Sequence, residues 1–209
     1  MLYNIIFLLI FTSIWLFCIM IVIKKEQVNL FDRLFNSTIF NTIIVICWVL
    51  FAVILIPFAP QTKIIGDGML ILNILGLSLF ILGILVFIWL FRQKRGIGSQ
   101  EMDKLLTTGA YGLCRHPIYL GHLLMYFGLA FQAGALDALI LSPIIISMYV
   151  IQAKIEEKYS IGKKFEGEYE EYRKNVPMYM KSWIFAIIVV VFLIFFLVSI
   201  NSEYLEIQY

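Results

Sequence analysis

Polar side chains are scarce in this sequence, and those able to do chemistry are clustered. Arg115 and His116 stand immediately before Pro117, with Tyr111 and Tyr119 on either side. Glu156 and Glu157 form an adjacent acidic pair further along. A guanidinium, an imidazole, two carboxylates and phenols can move protons and hold a ligand of mixed charge. Pro117 suits the first turn of a helix, whose free N–H groups and partial positive charge favour an anion. Arg115 alone would equally suit a basic loop flanking a membrane. Two adjacent carboxylates at a membrane face are costly unless a cation or hydroxyls satisfy them.

What must position these groups is a helical hairpin. Ile118–Ala133 and Ala138–Gln152 are apolar runs separated by Gly134, Ala135 and Asp137, which read as a tight turn. His116 lies 19 residues before Ala135 and Glu156 lies 21 after it. At about 1.5 Å rise per residue, two antiparallel helices bring these positions to one height. Arg115 and His116 are therefore expected to face Glu156 and Glu157 across the hairpin mouth. Gly121, Gly128, Ala130 and Gly134 are expected to let the two arms approach closely. A zwitterionic, hydroxyl-bearing, aromatic cofactor needs a mouth of this kind.

The rest of the chain says membrane. Of its 209 residues 62% are hydrophobic and 14% charged, with a net charge of +2. A soluble domain of this length cannot hide that much apolar surface in one core. A soluble enzyme, a nucleic-acid binder and a disordered chain are thereby set aside. A spanning helix needs about 20 mostly apolar residues. Tyr3–Ile23 (a span rather than a signal peptide), Thr38–Phe58, Met69–Phe91 and Trp183–Ile200 qualify, and the hairpin adds two shorter ones. The expected fold is all-α: a polytopic membrane helix bundle of about six spans including the short hairpin. Residues 1–91 are read as N-terminal spans, 92–181 as a cofactor-binding catalytic region, and 182–209 as a C-terminal span and tail.

Charge gives the orientation. Lys24–Asn36, Arg92–Arg115 and Ala153–Lys181 hold 3, 5 and 7 of the 16 Lys and Arg, and Lys63 is the exception. The positive-inside rule places these loops, and the site, on the cytoplasmic side. Two cytoplasmic interfacial helices are expected. One is built on Leu30, Phe31, Leu34 and Phe35, the other on Phe165, Tyr169, Tyr172 and Val176; each would equally suit a solvated connector.

Other chemistries fit less well. His116 and His122 are six apart on different helical faces, so no metal site is expected. Cys18, Cys47 and Cys114 are odd in number and far apart, and read as small buried hydrophobes. Gly66-Asp67-Gly68 and Gly96-Ile97-Gly98 are lone fragments that follow no strand, and neither a nucleophile elbow nor a phosphate loop is present.

Arg115-His116-Pro117-Ile118-Tyr119-Leu120-Gly121 resembles the R-H-P-x-Y-x-G motif of the integral-membrane isoprenylcysteine carboxyl methyltransferase family, related to the phospholipid N-methyltransferases. Leu106-Thr107-Thr108-Gly109-Ala110-Tyr111 resembles its lead-in and Glu156-Glu157 its acidic pair. Phe165-Glu166-Gly167-Glu168-Tyr169, Glu171-Tyr172 and Val176-Pro177 resemble its tail. The glycine comes one place late, and Ala153 stands where the animal enzymes carry an arginine.

The resemblance implies a methyltransferase that binds S-adenosylmethionine in a pocket open to the cytosol. It implies cofactor contacts at Tyr111, His116, Pro117, Ile118, Tyr119 and Glu157, with the backbone of Asp103, Lys104, Leu105 and Leu106 completing the wall. Arg115 and Glu156 are the expected catalytic residues. Arg115 would orient the cofactor or an acceptor carboxylate; Glu156 or His116 would take a proton from an amine. The acceptor implied is lipophilic: an isoprenylcysteine-type carboxylate on a lipidated protein or small molecule, or an amino-headgroup lipid. A related motif in membrane sterol reductases makes an NADPH-dependent reductase the rival enzyme, and a non-enzymatic membrane scaffold the rival outside enzymes.

Overall fold

The computed structural model describes residues 2–24, 46–64, 69–93, 104–180, 190 and 205–207. Helix α1 (Leu2–Lys24) is mostly apolar, with Asn4, Phe11, Trp15 and Cys18 turned inward along one line. Helix α2 (Ile46–Phe58) winds as a π-helix over Val49–Leu55 and carries Pro57 in its last turn. Strand β1 (Thr62–Ile64) precedes α3 (Met69–Arg92), a long helix that buries only Leu72, Gly76 and Gly83. A short α4 (Ala110–Leu113) leads into the hairpin, α5 (Pro117–Gln132) and α6 (Leu136–Glu156). The chain continues through a π-helical turn (Glu157–Ile161) into α7 (Gly162–Asn175) and reaches β2 (Leu205–Ile207).

The hairpin is where the sequence places it, and Gly134 makes its turn in the left-handed region at φ 59°. Three of the described helices are long and apolar enough to cross a membrane: Leu2–Met20, Met69–Arg92, and Leu136–Asn175, which is kinked at Glu166. Helix α5, at 16 residues, is shorter than a straight span. The expected span Trp183–Ile200, apart from residue 190, and the expected helix at Leu30–Phe35 lie outside the described residues, as does the start of Thr38–Phe58.

One end of the bundle collects the segments expected on the side away from the site. Strand β1 pairs antiparallel with β2, Lys63 bridges Ala135, and Ile64 N–H donates to Gly134 O at 2.8 Å. Asn4 Nδ2 donates to Ile56 O at 2.9 Å. Gln61 Nε2 donates to Pro57 O at 2.7 Å, and Gln61 Oε1 accepts from Ala138 N–H at 2.9 Å. That last bond satisfies an orphan donor at the start of α6. These bonds tie α1, α2, β1, β2 and the hairpin turn together at one end of the bundle.

The glycines do a different job from the one expected. They do not bring the hairpin arms together; they seat α3 against α5. A Cβ on Gly128 would lie 2.7 Å from Phe80 N and 2.8 Å from Gly76 O, and one on Gly83 would lie 2.9 Å from Gly121 O. Gly76 faces Gly128 and Gly83 faces Gly121, seven residues apart on each helix, so the backbones touch along a seam. Between the hairpin arms, aromatic rings act as spacers. Tyr149 lies with its ring centre 5.4 Å from that of Tyr119 and 5.9 Å from that of His122. Trp48 from α2 packs on the same group, 5.1 Å from Tyr149. These rings fill the space between the arms, and at the mouth the Tyr119 hydroxyl on α5 donates to Glu156 on α6.

Gly128→Ala tests the seam. Its Cβ meets backbone, which cannot swing away, whereas the Cβ of Gly121→Ala meets only the Phe87 ring. Overpacking of this kind costs on the order of 1–3 kcal/mol. Thermal unfolding in detergent followed by circular dichroism should show Gly128→Ala clearly lowered and Gly121→Ala lowered less. Equal melting of wild type and Gly128→Ala would remove the seam from the account.

Candidate active site at the hairpin mouth

The mouth is built on a short extended strap between α4 and α5. Gly109 turns in the left-handed region at φ 65°, giving the turn expected at Thr107–Gly109. Cys114 and His116 are non-helical, as a residue before proline tends to be. The strap's backbone donors then face the chain that leaves α7. Arg115 N–H donates to Pro177 O at 2.9 Å and His116 N–H to Met178 O at 3.1 Å. This pairing accounts for the Val-Pro tail motif: it supplies the acceptors that hold the strap.

The expected convergence is present. His116 Nε2 lies 2.9 Å from Glu157 Oε1, and Arg115 Nε donates to the same oxygen at 2.9 Å. Arg115 Nη1 also donates to Val176 O at 2.7 Å and Arg173 O at 3.1 Å, serving the carbonyls at the C-terminal end of α7. This changes the part played by Arg115. The guanidinium expected at an open anion site is already bonded to one carboxylate and two carbonyls.

The two carboxylates are held differently. Glu157, 9% exposed, sits between a guanidinium and an imidazole. Burial by itself would raise its pKa. The hydrogen bonds from His116 and Arg115, and their charges, outweigh burial and hold it down at about 2. Glu156 has a side chain 29% exposed and takes neutral donors: the Tyr119 hydroxyl, and Gln152 Nε2 at 3.2 Å. Its Oε2 lies 3.8 Å from His116 Nδ1. Beside it the rings of His116 and Tyr119 are parallel, with centres 5.5 Å apart and planes 2° apart, and Trp48 continues the stack 6.1 Å from Tyr119.

The remaining site residues surround this centre. Tyr111 is half-buried, its carbonyl accepting from the Tyr172 hydroxyl at 2.6 Å, and burial raises its phenol above the ordinary range. Pro117 is buried and Ile118 half-buried. In the wall segment Leu106 is buried, Leu105 half-buried and Lys104 exposed; Asp103 lies outside the described residues. Cys114 is buried and its thiol pushed up to about 12, so it offers no thiolate. Helix α7 turns its apolar stripe inward: Tyr169 and Tyr172 are buried and Glu166, Glu168, Glu170 and Glu171 are exposed. The amphipathic helix read from the sequence is therefore a cover for the mouth. Residues not foreseen are Trp48, Gln152 and Tyr179, whose hydroxyl donates to Tyr149 O at 2.6 Å. Gln152, one turn before Glu156, was open to sequence reasoning; Trp48 carries no local signal.

The carboxyl of Glu157 makes stability at the mouth depend on acid. A carboxyl whose pKa falls on folding stabilises fully above its unfolded value, about 4.5, and loses that contribution as pH falls towards about 2. Thermal unfolding in detergent should therefore weaken over that window in wild type. It should weaken less in Glu157→Gln, and equal acid sensitivity would remove Glu157 as the cause.

The chain is 30% identical to the cobalt-zinc-cadmium resistance protein CzcN of Cupriavidus metallidurans over 112 residues, 53% of this chain and 48% of that protein. It thus spans about half the length of the curated relative it matches. Among the described residues no three His, Cys, Asp or Glu side chains converge as metal ligands. No solved structure matches the chain. The model of the phospholipid methyltransferase family matches residues 71–166, a stretch holding Arg115, His116, Tyr119, Glu156 and Glu157, and this is the family that the motifs of the sequence resemble.

Proposed function

We propose that this chain transfers a methyl group from S-adenosylmethionine to a lipophilic acceptor at the cytoplasmic face of a membrane, and that the acceptor presents an amine. The observation that carries the reading is the division between the two carboxylates. Glu157 is held at 2.9 Å by both Arg115 and His116, whereas Glu156, its side chain 29% exposed, is bonded to Tyr119 and Gln152 and lies 3.8 Å from His116 Nδ1. The residues fit the cofactor by their chemistry: a carboxylate beside parallel aromatic planes suits a cationic, hydroxyl-bearing, aromatic molecule. S-adenosylmethionine supplies, when bound, a methyl group on a sulfonium centre open to in-line displacement.

In this reading Glu156 accepts the proton that the amine loses as it is methylated, and Tyr119 and Gln152 orient the carboxylate through their hydrogen bonds. His116 and Tyr119 form a flat wall for an aromatic ring. Tyr169 and Tyr172, buried beneath α7, exclude water from one side. Glu157 holds the wall together by fixing His116. Tyr111, Pro117, Ile118 and the backbone of Lys104–Leu106 line the remainder. The cytoplasmic assignment rests on the basic loops, Arg92–Arg115 and Ala153–Lys181, that flank the mouth.

An acceptor carboxylate of the isoprenylcysteine type is the second reading. It needs a cation to receive it, and Arg115 is already bonded to Glu157, Arg173 O and Val176 O. The same point counts against NADPH, whose phosphates need free cationic donors.

Two measurements test the proposal. Calorimetry in detergent should show S-adenosylhomocysteine binding to wild type and its loss in Glu157→Ala, with helix content preserved. Unchanged binding in that variant would sink the cofactor assignment. Glu156→Gln should keep binding within a few-fold and lower methyl transfer by roughly 10²–10⁴-fold, the usual worth of a general base. Labelled methyl transferred into whole membranes should appear in lipid; base-labile label on protein, with Glu156→Gln still active, would point to the carboxylate instead.

A further inference from the structure

The outward face of α6 changes character at one point. Ile140, Ile144, Ser147, Ile151, Lys154 and, in the π-helical turn that follows, Lys158 are exposed and succeed one another at steps of four and three. They therefore share one face. Up to Ile151 this face is apolar apart from Ser147, whose hydroxyl donates to Pro143 O at 2.7 Å. A face against hydrocarbon must be satisfied internally in this way. From Lys154 onward the same face is cationic. A spanning helix leaves the hydrocarbon where its lipid-facing residues become charged. Lys154 and Lys158 stand at that boundary.

The corner into α7 extends the charge. Lys163 and Lys164 are exposed in the first turn of α7. Lys158 Nζ lies 5.0 Å from the ring centre of Tyr159 and Lys164 Nζ 5.5 Å from that of Phe165, and both rings are half-buried. Aromatic rings set among lysines suit the zone between hydrocarbon and water.

The acids of this stretch do not offset the lysines. Between Ala153 and Phe165 they are Glu156 and Glu157. Both turn to the mouth, where Tyr119 and Gln152 hold one and Arg115 and His116 the other. The exposed acids of α7 begin at Glu166, where the helix bends. Cations beyond the bend have acidic company: Arg173 Nη1 lies 3.4 Å from Glu170. Among the described residues, the surface from Lys154 to Lys164 is thus the one that groups exposed lysines without an outward acid. It lies at the height of the mouth, because Glu156 and Glu157 fall between Lys154 and Lys158.

We propose that Lys154 and Lys158, extended by Lys163 and Lys164, dock the phosphate groups of anionic lipids and so seat the α6–α7 corner on the bilayer surface. Four or more basic side chains just outside a spanning helix form a site of this kind. The lipid here is a supporting surface, distinct from any methyl acceptor, and the inference does not depend on the reaction at the mouth. Its consequence reaches the mouth through the chain. Lys158 follows Glu157 directly, and α7, whose Tyr169 and Tyr172 cover the mouth, begins four residues later at Gly162. The surface that holds the lysines repels the acids beyond the bend.

The test uses the full chain in nanodiscs of phosphatidylcholine and of phosphatidylcholine mixed equally with phosphatidylglycerol. Hydrogen exchange of the α7 amides should slow severalfold in the mixed discs. The difference should vanish at about 1 M salt, where screening shortens the reach of charge to about 3 Å. It should also vanish in a fourfold variant, Lys154→Gln with Lys158→Gln, Lys163→Gln and Lys164→Gln, and persist in Lys174→Gln. Native mass spectrometry in detergent should show the preference for phosphatidylglycerol over phosphatidylcholine falling about fivefold in Lys158→Gln and further in the fourfold variant. The replaced side chains are exposed, so helix content by circular dichroism should stay the same. Equal exchange of wild type in the two discs, or a preference retained in both variants, would overturn the docking site. Slowing produced by glycerol phosphate added to phosphatidylcholine discs would assign the lysines to a free phosphate, and would overturn it too.

Discussion

Glu157 accepts Arg115 Nε and His116 Nε2 on a single oxygen, each at 2.9 Å, at a depth where it is 9% exposed. Three elements meet there: the strap before α5, the end of α6, and, through the other nitrogens of Arg115, the carbonyls closing α7. A buried ion pair is a poor source of net stability, because desolvation offsets much of the attraction. Its effect here is positional. Removing any one partner would leave another buried charge or carbonyl uncompensated, so the arrangement excludes alternatives more than it adds strength. The mouth holds its shape because this carboxylate has two donors and the strap's own N–H groups have Pro177 and Met178 as acceptors.

Such a lock is useful only if the space behind it stays open to a functional residue. Two packing devices ensure that. Along α3 and α5, Gly76, Gly83, Gly121 and Gly128 let backbones meet, leaving no room for ligand. Between α5 and α6, large rings from both arms and from α2 keep the helices apart. Close packing on one side of α5 and ring-filled spacing on its other side are what leave Glu156 half-exposed beside Tyr119.

Much of this was legible in the chain. The hairpin followed from apolar run lengths and a glycine-containing turn, and the meeting of Arg115 and His116 with Glu156 and Glu157 followed from equal counts along two helices. The spacing of Phe165, Tyr169 and Tyr172 gave α7, while Val176, read as the fourth member of the stripe, lies past its end in extended backbone. What did not follow was which helices the glycines join. A small residue says that something comes close, but not what, and the partner of Gly128 lies some fifty residues earlier in α3. Trp48 was silent for a similar reason: its contacts with Tyr119 and Tyr149 join segments distant in sequence, and no local period reports them. The role of Arg115 was also hidden, because its extra acceptors are backbone carbonyls, which every residue carries.

The sequence by itself determined the membrane class, the hairpin and the set of residues at its mouth, because these depend on composition, length and rise per residue, all of which are local. Only the tertiary structure decided which carboxylate is locked and which is available. Glu156 and Glu157 are chemically identical and adjacent, so nothing local separates them. A helical step of one residue turns Glu157 towards Arg115 and His116, and Glu156 towards Tyr119 and Gln152. Burial and partners then give them different work.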